Sequence, residues 1–456
     1  MKQSGIGHYD IIIIGGGAAG LYAASLLAQS TVRNPAERKR TVLILEKNSK
    51  TGRKLLLTGG GKCNLTCGGS IKEFTSHYGK NGSMVRPVLY AHNNLAVRRH
   101  FATLGVETTE RGDGKIFPRS MRAAEVQQAL LAAAAGAGFE IKTGCGAHRI
   151  RPLVSSFSAS ESDIETTSPY PALFDSAKSP DSGYLVETEN GGSFRCRRLI
   201  LACGGCSVPS TGSDGSMFPI LRRLGIEVTE LRPSLTPVSV QNYPYASLSG
   251  LSFPNVELRI ESGQQRISGD LLFTHNALSG PLILNASRYL KTGSRITLSY
   301  LPDICTSELT KMLSRLAHGN HGTVETLLCQ TGSRFDRILP RRFAETIVLE
   351  TASELQGRKA ATLSGKDFAM LADRLTNDSF SVSGTGSWNT AMCTAGGVAL
   401  SEVHLKTMES KKYPGLFLIG ECLDIDGDTG GYNLQFAFSS AAAAVSAIHA
   451  ALNAAP

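Results

Sequence analysis

Six residues, Gly15-Gly16-Gly17-Ala18-Ala19-Gly20, constrain this chain more than any others. They follow a β-branched run, Tyr9 to Ile14, and precede a small, apolar stretch at helical spacing, Ala18 to Gln29. In that setting G-x-G-x-x-G is a dinucleotide-binding turn. Gly15 permits the tight bend, Gly17 lets the backbone approach a pyrophosphate, and Gly20 lets helix and strand pack closely. The helix start at Ala18 and Ala19 turns unpaired N–H groups and a positive dipole end toward the phosphates. A second strand, Thr41 to Glu46, ends on a carboxylate that can accept ribose hydroxyls. The interval from Gly20 to Glu46 is longer than the compact form, and a basic insertion at Arg33 to Arg40 accounts for the excess.

Remote segments favour FAD over NAD. Pro414 to Asp424, PGLFLIGECLD, is a strand running into Gly420-Glu421, where an acid can hold the ribityl or pyrophosphate edge. Gly430-Gly431-Tyr432-Asn433-Leu434-Gln435 then opens the last helix, a second N-terminus able to face a flavin. An ordinary NAD-dependent dehydrogenase needs no such return. Leu199 to Ala202 reads as a buried strand ending at Gly204 and Gly205. Between these lies another glycine knot, Gly52 to Gly69, in which Lys54, Gly59, Gly60, Gly61, Lys62, Cys63 and Asn64 place cations around a flexible backbone. Its N–H groups and Lys62 suit the anionic N1–C2=O edge of a reduced flavin. Lys47, Arg53, Gly431, Asn433 and Leu434 complete the expected cofactor-binding set.

At 456 residues the chain has room for about three domains. The texture divides it into a first cofactor part, 1–235, and an inserted β-barrel, 236–302, that resumes near 376–395. A helical insert over 303–375 and a cofactor return over 396–456 complete it. A Ser-, Pro- and Asp-rich stretch, Ser155 to Ser182, reads as a surface excursion, and helices are expected over Arg119–Ala135 and Ser439–Leu452. The expected class is α/β: a split two-dinucleotide-binding Rossmann-like FAD domain carrying the barrel and the small helical domain. Ten cysteines without a secretory leader point to free thiols in a reducing cytoplasm. No apolar run is read as reaching the ~20 residues of a membrane helix. The formal charge of +9 suits a polyanionic partner, with basic clusters at Arg33 to Arg40, Arg98-Arg99, Arg195 to Arg198 and Arg341-Arg342.

Six ordered motifs also carry a resemblance. GGGAAG, GRKLLLTGGGKCNLT, LILACGG, LLFTHNALSGP, TAGGVALSEV and GECLDIDGDTGGYNLQFAFSSA together resemble the HI0933-like family of FAD-dependent flavoproteins, nearly end to end. The resemblance implies the split FAD domain with inserted barrel and helical domain. It also implies one of three chemistries: reduction of a C=C bond in steroid-like enones, oxidation of aminoacetone, or reduction of a 23S ribosomal RNA uridine to dihydrouridine. One departure stands out: the family's A-T-G-G strand motif has Cys203 in place of threonine, which creates Cys203-x-x-Cys206.

Flavin supplies hydride transfer, so the protein must bind, orient and protonate. Cys63 is a candidate general acid or a thiol packed beside the cofactor; His275, in Phe273-Thr274-His275-Asn276, is a candidate acid, substrate contact or structural residue. Cys203 and Cys206 read as small packed residues rather than a dithiol site. No metal-ligand spacing, G-x-S-x-G or H-E-x-x-H occurs. No second G-x-G-x-x-G exists for a nicotinamide, so NADPH or NADH would dock transiently. The leading expectation is an FAD-dependent oxidoreductase that reduces a uridine of ribosomal RNA, bound through its basic surface. The alternatives are a small-molecule enone reductase or amine oxidase, and a non-catalytic flavin-dependent binding protein.

Overall fold

The computed structural model describes residues 6–33, 40–153, 183–261, 265–333, 335 and 339–453. The Ser-rich stretch and most of the basic insertion lie outside them. The chain divides into two units, one reaching Arg232 and resuming at Met392, the other spanning Pro233–Ala391.

The first unit is built on β1 (Gly7–Ile14), α1 (Ala18–Arg33), β2 (Val42–Leu45), β3 (Glu140–Lys142), β4 (Ser193–Leu201), β5 (Leu416–Leu418) and α2 (Tyr432–Asn453). The strands lie parallel in the order β5-β4-β1-β2-β3, with Ile12 opposite both Leu43 and Leu199. Ile11 to Ile14 are 0–5% exposed, as a strand covered on both faces requires. α1 and α2 pack through a stack of Tyr22 on Phe438, centroids 4.4 Å apart. Gly183–Thr188 pairs antiparallel with β4 and extends the sheet, and Ala147–Leu153 pairs antiparallel with Gly183–Thr188. Between β2 and β3 the chain builds a three-stranded antiparallel sheet, Thr66–Cys67, Lys115–Pro118 and Thr108–Glu110, with helices Gly82–Ala91 and Asn94–Thr103.

The second unit holds a closed six-strand antiparallel barrel running Val238–Val240, Leu278–Ser279, Gln265–Phe273, Ser252–Ile260, Arg295–Ser299 and Asp378–Thr385. Its interior is aromatic, with Phe253, Phe273, Tyr300 and Phe343 in mutual contact. Helices Thr306–Ala317, Val324–Ser333, Arg341–Thr351 and Gly365–Thr376 share that core. The class expected from the sequence is the one observed: a Rossmann-like α/β domain, a closed barrel and helices.

Two local expectations change. The helix expected from Arg119 begins at Ala123, because Met121 takes a left-handed φ of 55° and its N–H bonds Pro118 in a turn. The last helix starts at Tyr432, and its stretch Tyr432–Leu452 is long and apolar enough to cross a membrane, contrary to expectation. Its apolarity serves the core instead: Phe436, Phe438, Ala441, Ala444 and Ile448 are all within 2% of complete burial.

Candidate functional site

The carboxyl end of β1 turns into α1 through Gly15–Gly17, and this turn forms part of a cleft with about 1350 Å³ of empty space, partly open to solvent. Gly15 has φ +104°, and a Cβ on it would come within 2.3 Å of the Ala202 carbonyl oxygen on the neighbouring strand end. A Cβ on Gly20 would lie 2.0 Å from the Gly15 carbonyl oxygen. Gly17 differs: its Cβ would meet nothing within 4 Å, and the residue lines the cleft. Two glycines therefore serve the backbone, and the third leaves room. The first-turn amides of α1, including those of Ala18 and Ala19 on the cleft wall, have no intrahelical acceptor and carry the positive end of the helix dipole.

Glu46 ends β2 inside the same cleft at 7% exposure. One carboxylate oxygen accepts the Gly16 N–H at 3.0 Å; the other accepts the Asn48 N–H at 2.8 Å and its side-chain amide at 2.7 Å. The bond to Gly16 ties the acid directly to the glycine turn. Asn48 in turn donates to the Thr211 carbonyl at 3.0 Å and accepts from Arg53 at 3.1 Å. Lys47 pairs with Asp214 at 2.5 Å. The loop Thr211–Ser216 is thus held against the end of β2.

Farther along the wall, Lys54 pairs with Glu421 at 2.6 Å and also donates to Ser207. The other Glu421 oxygen accepts from the Ser207 hydroxyl at 2.6 Å and from the Thr394 N–H at 3.0 Å. Cys203, Gly204 and Cys393 line the cleft here. All ten cysteines are free; the Cys203 thiol donates to the Gly204 carbonyl and the Cys422 thiol to those of Leu201 and Ile419.

The expected site residues divide by position. Gly15, Gly17, Ala18, Ala19, Glu46, Lys47, Arg53, Lys54, Gly204, Glu421, Asn433 and Leu434 all line the cleft. Asn433 has its amide committed locally, to both backbone groups of Gly427 at 2.8 Å. Gly20, Gly420 and Gly431 are packing positions outside the wall. A Cβ on Gly420 would reach the Ala19 methyl at 2.9 Å, and one on Gly431 would strike the Thr66 backbone at 2.7 Å. Gly60 and Lys62 are exposed on the glycine turn rather than in the wall, and Asn64 is half-buried and outside the wall. Cys63 is 0% exposed at a left-handed φ of 61°, and burial pushes its thiol up to about 12, against a lowering contact from Thr58. His275 belongs to the second unit, exposed on a tight turn closed by Thr274, whose hydroxyl donates to Ala277 at 2.7 Å.

Sequence reasoning missed Asn48, Ser207, the loop Thr211–Ser216 and Cys393. The one sequence cue was the turn composition of Gly212-Ser213-Asp214-Gly215-Ser216. Ser213 matters for the cofactor test: its hydroxyl is buried on the cleft wall without a protein partner. A buried unpaired hydroxyl, an acid anchored beside a glycine turn and an unpaired helix N-terminus form the donor and acceptor set of a dinucleotide. The residues fit FAD. Among the described residues no group of three His, Cys, Asp or Glu side chains is placed to hold a metal.

The chain is similar to known proteins along nearly its whole length. Residues 9–447 match the HI0933-like protein Rossmann domain. The chain is 30% identical over 443 residues to the ribosomal RNA dihydrouridine synthase of Escherichia coli (strain K12), covering 95% of this chain and 96% of that protein. It is 29% identical over 438 residues to a 3-dehydro-bile acid delta(4,6)-reductase of Clostridium scindens, covering 94% and 96%. Among solved structures, an open conformation of a flavocytochrome c3 fumarate reductase aligns at 15% identity and a TM-score of 0.46, over 97% of this chain and 79% of that one.

Proposed function

The chain belongs to the HI0933-like family of Rossmann-fold, FAD-binding oxidoreductases, and from that membership we propose that it reduces a carbon–carbon double bond, with a uridine of 23S ribosomal RNA as its leading substrate. The observation that carries the substrate is the match to the Escherichia coli synthase over nearly the full length of both chains. Bound FAD supplies the two-electron hydride step, with NADPH or NADH as its transient reductant.

The chain's own residues divide the remaining work. The α1 amides at Ala18 and Ala19 would hold the pyrophosphate, and Glu46, oriented by its bond to Gly16, would accept from the ribose. Ser213 would offer its unpaired hydroxyl to the cofactor. Lys54, neutralised by Glu421, positions the wall without leaving a net charge in it. Cys63 and His275 are the proposed sources of the proton that follows the hydride. A cytoplasmic setting suits an RNA substrate.

A second reading has its own support, the comparable match to the bile acid reductase; there the substrate is a small planar enone. The deciding experiment reduces the flavin anaerobically with NADPH and with NADH, then offers unmodified 23S ribosomal RNA, a steroid enone or oxygen to the same preparation. Rapid reoxidation by the RNA with formation of dihydrouridine supports the leading reading. Reoxidation by the enone with the RNA inert transfers the site to the second. Reoxidation by oxygen alone overturns both.

A further inference from the structure

The chain's excess positive charge sits in one segment. Residues 47–122 hold fourteen lysines and arginines against four acids, Glu73, Glu107, Glu110 and Asp113, a net of +10; the rest of the chain nets −1. This is the segment between β2 and β3 that carries the small antiparallel sheet and the helices Gly82–Ala91 and Asn94–Thr103. Several of its cations are already paired, among them Lys54 with Glu421 and Arg98 with Glu110. Lys50, Lys72, Arg86, Arg99 and Arg122 are exposed and have no carboxylate partner among the described residues. The Arg341-Arg342 cluster of the second unit behaves differently. Arg341 is bound to Glu345 at 2.8 Å, and Arg342 donates to the Ser247 carbonyl.

The same segment exposes apolar surface. Tyr90 is 38% exposed with the Arg86 guanidinium 5.0 Å above its ring, and Leu57 and Leu95 are 56% and 55% exposed. An arginine stacked on an open tyrosine face is a platform for a nucleobase, and scattered unpaired cations track a phosphate backbone. Arg53 links this surface to chemistry, since it is exposed and also lines the cleft.

We propose that the 47–122 segment is the RNA-docking surface of this enzyme, holding phosphates with Lys72, Arg86, Arg99 and Arg122 and stacking a base on Tyr90. The inference rests on the ribosomal RNA reading and adds the surface that makes it possible. Reduction of a base requires it to leave its stack and enter the cleft, so a cationic surface continuous with the mouth is needed to hold the flanking backbone.

The test uses the full flavin-loaded protein and unmodified 23S ribosomal RNA transcript, with affinity measured across a potassium chloride series. Each lost phosphate contact flattens the plot of log affinity against log salt by about 0.7 for single-stranded RNA, so K72Q/R86Q/R99Q/R122Q is expected to flatten it by about 3. The flavin spectrum and thermal midpoint report folding. Y90A, which removes no charge, is expected to weaken binding without changing the slope, and it keeps the test open should the fourfold variant misfold. R341Q/R342Q is expected to match wild type. If wild type forms dihydrouridine and the fourfold variant keeps both affinity and slope, the surface is wrong while the ribosomal RNA reading stands. If wild type binds vesicles containing phosphatidylserine but not the RNA, both are overturned.

Discussion

The Lys54 ammonium and the Glu421 carboxylate meet at 2.6 Å, joining positions 367 residues apart in the chain. Their side chains are 24% and 22% exposed, so the pair is neither a screened surface contact nor a sealed one. Glu421 also receives Ser207 and Thr394, which makes it the point where three separated segments meet. Glu421→Gln keeps the shape and removes the charge, leaving the Lys54 cation in the wall without compensation. The expected loss is about 1–2 kcal/mol, between the surface and buried limits, and the thermal midpoint drops by a few degrees. A midpoint unchanged to within about half a degree means solvent already screens the pair.

His92 supplies a pH dependence. Its ring nitrogen lies 2.7 Å from the Tyr22 hydroxyl, and burial, with Arg99 adding repulsion, holds its pKa near 4 rather than 6.5. Between those values the unfolded chain binds a proton that the folded chain refuses. Stability is therefore full above pH 6.5, declines from 6.5 toward 4, and levels off below. The whole decline is worth about 3 kcal/mol. Thermal midpoints of wild type and His92→Gln across that window are expected to converge at low pH, the variant showing the shallower slope. Parallel curves remove His92 as the origin.

Cys63 separates two roles by kinetics. A thiol at 0% exposure, pushed up to about 12, stays protonated at neutral pH and is shielded from reagents. Native protein at pH 8 is expected to leave Cys63 unmodified by iodoacetamide. Cys63→Ala is expected to slow single-turnover flavin reoxidation by about 10²–10⁴, the cost of losing a working general acid. A loss of less than about tenfold makes Cys63 a packed thiol and leaves the proton to His275.

Legibility followed the range of the interactions. Gly15, Gly20 and Glu46 were readable because their roles are set within one βαβ unit, where strand, turn and helix are adjacent in sequence. Glu421 was recognised as a site residue, yet its partner Lys54 was read as a cation beside the flavin. Nothing in either local sequence reveals a contact across 367 residues. Ser207 and Ser213 carry no motif, Thr394 merely opens TAGGVALSEV, and all three gain their places only when β4 and β5 lie side by side. The helix start at Ala123 was missed because Met121, an ordinary helix former, is forced left-handed by the turn after Pro118. The apolar helix Tyr432–Leu452 was underestimated because its many alanines and serines dilute a run that the core nonetheless buries.

The three glycines of the opening turn give the sharpest separation of fold from cofactor. Alanine at Gly15 or Gly20 drives a methyl to 2.3 or 2.0 Å from a backbone carbonyl oxygen, and neither position can yield without moving a strand end or the helix start. Both variants are expected to be insoluble or to melt well below wild type. Alanine at Gly17 meets no protein atom within 4 Å, so the apoprotein is expected to fold and melt normally. Its methyl projects where the phosphates would approach α1, which predicts a folded, colourless protein with FAD affinity lowered at least tenfold. Circular dichroism together with flavin fluorescence titration distinguishes the cases. A Gly17→Ala protein that purifies fully yellow would place the pyrophosphate away from this turn, and with it the assignment of the α1 amides as its cradle would fall.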